Sequence, residues 1–137
     1  MRTFLTERIA ITLDGSRCFQ WEAGKVKRVD LVVATSQESI GFLFTERAIL
    51  RNRDMVSLRL AVERKVVGHG FLVYSGAYAF VAARMIVVLP IEEFLRNMKQ
   101  WLACRNFREA HEVLRRRNCC APFFSIINTI YPWRGCT

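Results

Sequence analysis

A chain of 137 residues, 52% hydrophobic with a mean hydropathy of +0.13, is too apolar for disorder and long enough for one core, with little room for a second domain. Lys and Arg number 21 against 12 Asp and Glu, giving a net charge of +9. Five cysteines (Cys18, Cys104, Cys119, Cys120, Cys136) are an odd number, and the opening residues lack an apolar signal-peptide core. Both argue against a secreted disulfide scaffold and for reduced thiols in cytoplasm or nucleus.

In chain order, Ile9, Ile11 and Leu13 alternate with polar or small residues, which predicts a strand near the amino end. Asp14-Gly15-Ser16 is a turn signal, and Arg17–Glu22 a short strand with Phe19 and Trp21 on one face. Ala23-Gly24-Lys25 turns the chain into the β-branched run 26–35, and 40–44 is a further apolar run. Residues 45–54 fit either one helical turn or a charged loop. From Met55 to Arg64, Val56, Leu58, Leu60 and Val62 alternate with Ser57, Arg59, Ala61 and Glu63, the clearest strand pattern in the chain. Two long apolar strands, 66–74 and 78–89, complete the expected sheet. Short turns throughout predict antiparallel, meander-like pairing.

Pro90 ends the sheet and suits a helix start. Ile91, Phe94, Leu95, Met98, Trp101 and Leu102 form one stripe at helical period, with Glu92 and Glu93 in the first turn. Asn106 breaks the chain before a second helix, 107–117, that ends in three Arg. The tail 119–137 is too apolar to be left in water, so it either joins the sheet or docks in a groove, including one on another copy of the chain.

The reading is therefore α+β in a single domain, 1–137. An antiparallel sheet spans residues of about 6–89, two C-terminal helices occupy 91–118, and an apolar tail follows. Residues 68–90 are long enough to cross a bilayer and carry one charge, Arg84. That Arg would cost about 2.5–3.5 kcal/mol near a helix centre, and Ser75-Gly76 interrupts the run, so buried strands are favoured and no transmembrane span is expected.

No phosphate-binding loop, dinucleotide fingerprint, zincin motif or nucleophile elbow occurs, so no enzyme is expected. Of the basic residues 17 are Arg, whose planar forks match phosphate bidentately and stack on bases. Arg115, Arg116 and Arg117, with Arg105 and Arg108, form the main candidate nucleic-acid contact, for RNA or single-stranded DNA. Arg47, Arg51 and Arg53, with Arg59 and Arg64 beside them, form a second, which adds to the first surface if it faces the same way. Cys104, His111, Cys119 and Cys120 are the candidate zinc ligands. Their spacing lacks the paired C-x2-4-C knuckle, so ordinary thiols without a cofactor are favoured.

The stretch 101–122, WLACRNFREAHEVLRRRNCCAP, resembles the middle of geminiviral pre-coat proteins. It carries Arg105-Asn106-Phe107-Arg108-Glu109-Ala110, then a basic helix and Cys119-Cys120. The resemblance implies a viral accessory protein that suppresses RNA silencing in a host cell. It assigns Arg105, Phe107, Glu109, Ala110, Cys119 and Cys120 to an interaction helix and a metal or thiol site. The alternative function is a module that blocks a host protein through the helix stripe 91–102 or the tail residues Phe123, Phe124 and Trp133, without nucleic acid.

Overall fold

The computed structural model describes residues 2–12, 17–24, 27–34, 38–83 and 85–118. Among the described residues six strands form one sheet: β1 (Arg17–Ala23), β2 (Lys27–Ala34), β3 (Ser39–Phe44), β4 (His69–Tyr74), β5 (Phe80–Ala83) and β6 (Ile86–Pro90). The same residues include five α-helices: α1 (Arg2–Thr12), α2 (Val56–Glu63), α3 (Ile91–Arg96), α4 (Met98–Leu102) and α5 (Phe107–Asn118). The class is α+β, with a mostly antiparallel sheet in the order β1-β2-β3-β4-β6-β5.

Two predicted strands are helices. Residues 2–12 form α1, where Leu5 and Ile9, one turn apart, are buried and Ile11 is 73% exposed. The stretch 56–63 forms α2, preceded by a 3-10 turn, Asn52–Met55. Leu58 and Ala61 are its buried positions and continue a spacing of three from the buried Met55 before it, whereas Val56 and Leu60 are only partly covered. Period two and period three to four overlap over eight residues, and packing against the sheet decides between them.

This exchange changes the pairing. With α2 between them, β3 and β4 run parallel, Ile40 opposite His69 and Phe44 opposite Val73. A parallel pair needs such a crossover because a tight hairpin reverses the chain. β4 does not pair with β5. It pairs in parallel with β6, and β5 turns back on the outer side of β6. The expected meander therefore holds for β1-β2-β3 and for β5-β6 only. The turn into β2 passes through Gly24 at φ 78, a conformation that suits glycine.

Alternating residues divide the core between the two faces. Phe42, Phe71, Val87 and Leu89 meet α1, α3, α4 and α5 on one side. Val32, Leu72, Ile86 and Val88 meet α2 on the other. The 91–102 stripe breaks at Asn97 into α3 and α4, but it packs on the sheet as its period predicts. Phe94 and Trp101 are fully buried.

Candidate nucleic-acid interface

The helix α5 begins on Asn106. Its side-chain Oδ1 accepts the Glu109 N–H at 3.0 Å, satisfying one of the helix's open donors. Glu109 reaches back to Arg105, accepting its backbone N–H at 2.7 Å and its Nε–H at 3.0 Å. The Arg105 backbone bond, followed by its side chain, holds the Glu109 carboxyl below its ordinary range. Arg105 thus closes the start of α5 with its Nε engaged, although its side chain is 66% exposed.

Ala110 and Leu114 then fix the helix's orientation, being 0% and 1% exposed against the sheet. At about 100° per residue, Arg108, Arg115 and Arg116 fall on the far side, and all three are exposed. Glu112 lies among them, its Oε2 3.9 Å from Arg115 Nη2. The Arg117 side chain lies outside the described residues.

The second group is also exposed. Arg47 Nε lies 3.8 Å from Asp54 Oδ1, and the Arg51 N–H donates to Asp54 Oδ2 at 2.7 Å. Arg53, Arg59 and Arg64 are exposed nearby in sequence. Leu50 and Met55 anchor this segment on the α2 side of the sheet, the face opposite α5. The two Arg groups therefore do not merge into one surface.

Cys104 is buried. Its thiol donates to the Gln100 carbonyl at 3.4 Å, and burial together with Glu109 pushes it up to about 11. It is held as a thiol at neutral pH, whereas a nucleophile requires the thiolate. His111 is half-buried and stacks on Phe107 with centroids 6.0 Å apart and rings 5° from parallel. Burial lowers its basicity. Among the described residues no group of three His, Cys, Asp or Glu is placed to hold a metal ion. Cys119 and Cys120 lie outside those residues, as do Phe123, Phe124 and Trp133.

Of the expected partner contacts, Glu109 is engaged by Arg105, Phe107 packs partly against the core, and Ala110 is core. Ala110 and the stripe 91–102 are therefore corrected as contact surfaces: both are spent on the sheet.

Sequence reasoning passed over two buried polar groups. His69 is fully buried, its Nδ1 2.8 Å from Glu38 Oε1. Burial outweighs that carboxylate and lowers the basicity of His69. Asp30 sits at a bulge, where Asp30 and Leu31 face the single residue Gln20 of β1. Its Oδ2 accepts the Phe44 N–H at 2.9 Å, and Arg28 Nε lies 3.7 Å from Oδ1. The sequence signal for both was a polar residue inside an apolar run, V-D-L-V-V and G-H-G-F-L-V.

Among the described residues no helix is long and apolar enough to cross a membrane, and the 68–90 run contributes β4, β5 and β6. Compared with known proteins, the chain matches no family model, no curated protein and no solved structure.

Proposed function

We propose that this protein is a non-catalytic accessory protein that holds RNA or single-stranded DNA on the outward face of α5. The observation that carries the reading is the burial of Ala110 and Leu114, which leaves Arg108, Arg115 and Arg116 turned to solvent on one side. Arg side chains there meet phosphates as charged forks, and each phosphate neutralised releases a counterion. Arg47, Arg51 and Arg53 supply a separate contact from the other face. A role in suppressing a host defence such as RNA silencing belongs to the same proposal, and the local resemblance over residues 101–122 is its support.

The test is a salt series with labelled single-stranded RNA, single-stranded DNA and their duplexes. Three phosphate contacts on a single strand predict a log–log slope of about −2. Replacing Arg108, Arg115 and Arg116 together by Gln is expected to flatten that slope and weaken all sequences alike. An unchanged slope in the triple variant removes α5 as the interface. No binding of the parent chain at low salt removes the proposal altogether.

A further inference from the structure

We propose that the cleft at the amino ends of β3, β4 and β6 is a binding site for a small aliphatic zwitterion, a free amino acid or a peptide of two or three residues. This goes beyond the α5 reading and does not depend on it.

The cleft has a volume of about 800 Å³, within the roughly 300–1,000 Å³ of small-molecule sites. Its walls come from the end of α2 (Val62, Glu63, Lys65), the connection into β4 (Val66, Val67, Gly68), the start of β3 (Glu38, Ser39) and the β5-β6 turn (Ala83, Met85), with Arg59 at its side.

Two observations mark it as built. Among the described residues, Lys65 (φ 59) and Met85 (φ 67) are the non-glycine residues in the left-handed region, and both line this cleft. The Lys65 N–H closes the turn at the end of α2, donating to the Val62 carbonyl at 3.1 Å, and Met85, just before β6, ties it to β4, its carbonyl accepting the Gly70 N–H at 2.8 Å. Glycine adopts this backbone without strain, so local structure alone would favour it at both positions. Strain retained at two residues that line one cavity points to a use for them there.

The second observation is a carboxylate held in place. Glu38 is fixed by the fully buried His69 ring, and it rests on Gly68, where a Cβ would overlap its carboxyl group. It remains partly exposed on the cleft side, at 32%.

The ligand class follows from charge. Glu38 suits an ammonium group, and Lys65 with Arg59 suits a carboxylate. Val62, Val66 and Val67 offer an aliphatic wall. Arg59, Glu63 and Lys65 form no ion pair among the described residues. Two acids and two bases favour a ligand without net charge, and Glu38 and Glu63 together disfavour a phosphate.

The experiment is titration of the full chain with leucine, dileucine and trileucine by calorimetry and amide NMR shifts, then with the N-acetylated and C-amidated forms. At least one free zwitterion is expected to bind, with shifts at residues 62–68 and 85–86. Blocking either terminus is expected to weaken it about tenfold or more. Gly68→Ala, which displaces Glu38, is expected to remove binding. Lys65→Gly and Met85→Gly are expected to keep or raise Tm while weakening the ligand, an outcome that a purely structural role for those residues does not produce. No response to any of the three free ligands at millimolar concentration overturns the proposal. So does equal binding of the blocked forms, or unchanged affinity in both glycine variants.

Discussion

The two faces of the sheet are covered by different means. On the α5 side, aromatic rings fill the space. Phe42 stacks on Phe71 at 5.5 Å, Phe71 meets the edge of Trp101 at 5.9 Å, and Phe94 lies 5.9 Å from Phe42. Among the described residues α1, α3, α4 and α5 rest on this layer. On the other side one eight-residue helix, α2, comes close because glycines make room. A Cβ at Gly70 would lie 2.9 Å from Leu58 Cδ2, and one at Gly41 3.2 Å from it. One face is stabilised by bulk and the other by close approach, so they fail under opposite substitutions.

The largest effect is expected on the aromatic face. Trp101→Ala opens a cavity under α4 and should cost about 3–5 kcal/mol in urea unfolding. Trp101→Phe sharpens the point. The buried indole Nε1 has no hydrogen-bond partner among the described residues, so its loss leaves no acceptor unsatisfied and should cost far less. Equal losses in the two variants would mean that ring volume is not what holds this face.

On the α2 face the danger is added volume. Gly70→Ala should cost about 1–3 kcal/mol by pressing on Leu58. In a Leu58→Ala background the same substitution should cost less. Strict additivity of the two would break the close-approach account.

His69 makes the fold sensitive to acid. Its buried ring prefers the neutral state, against the carboxylates of Glu38 and of Glu109 on α5. Below the unfolded value near 6.5, the unfolded chain takes up a proton that the folded ring refuses. Stability is therefore full above about pH 6.5 and falls as the pH drops toward the folded value, by at most about 1.4 kcal/mol per unit for this one group. His111, also lowered by burial, adds in the same direction. Urea midpoints from pH 7.5 down to 5 should show the slope, and His69→Gln should flatten most of it.

The smallest stability effect is expected at the surface. Exchanging Arg108, Arg115 and Arg116 for Gln should move stability by less than about 0.5 kcal/mol per site, while the salt slope of nucleic-acid binding changes. Thermal unfolding beside the binding series separates the two.

Much of this architecture was legible along the chain. The run 26–35 became β2 (Lys27–Ala34), the run 40–44 became β3 (Ser39–Phe44), and the Asn106 break became the cap of α5. The outward Arg of α5 follow from where Ala110 and Leu114 fall on a helix. Less could be read where a pattern was short. From 56 to 63 an alternation and a helical stripe use nearly the same residues, and no local rule separates them. The Glu38–His69 pair and the cleft beside it join segments 31 residues apart in sequence, so no spacing rule could find them.

Composition, charge and period by themselves determined that this chain folds as α+β with an apolar sheet, a buried stripe at 91–102 and exposed Arg on its last described helix. Those are properties of single segments, set by which side chains avoid water. Only the tertiary structure decided that α2 is a helix, that β3, β4 and β6 run parallel, and that the two Arg groups lie on opposite faces. These depend on contacts between segments distant in sequence, where close approach at Gly41 and Gly70 outweighs local preference.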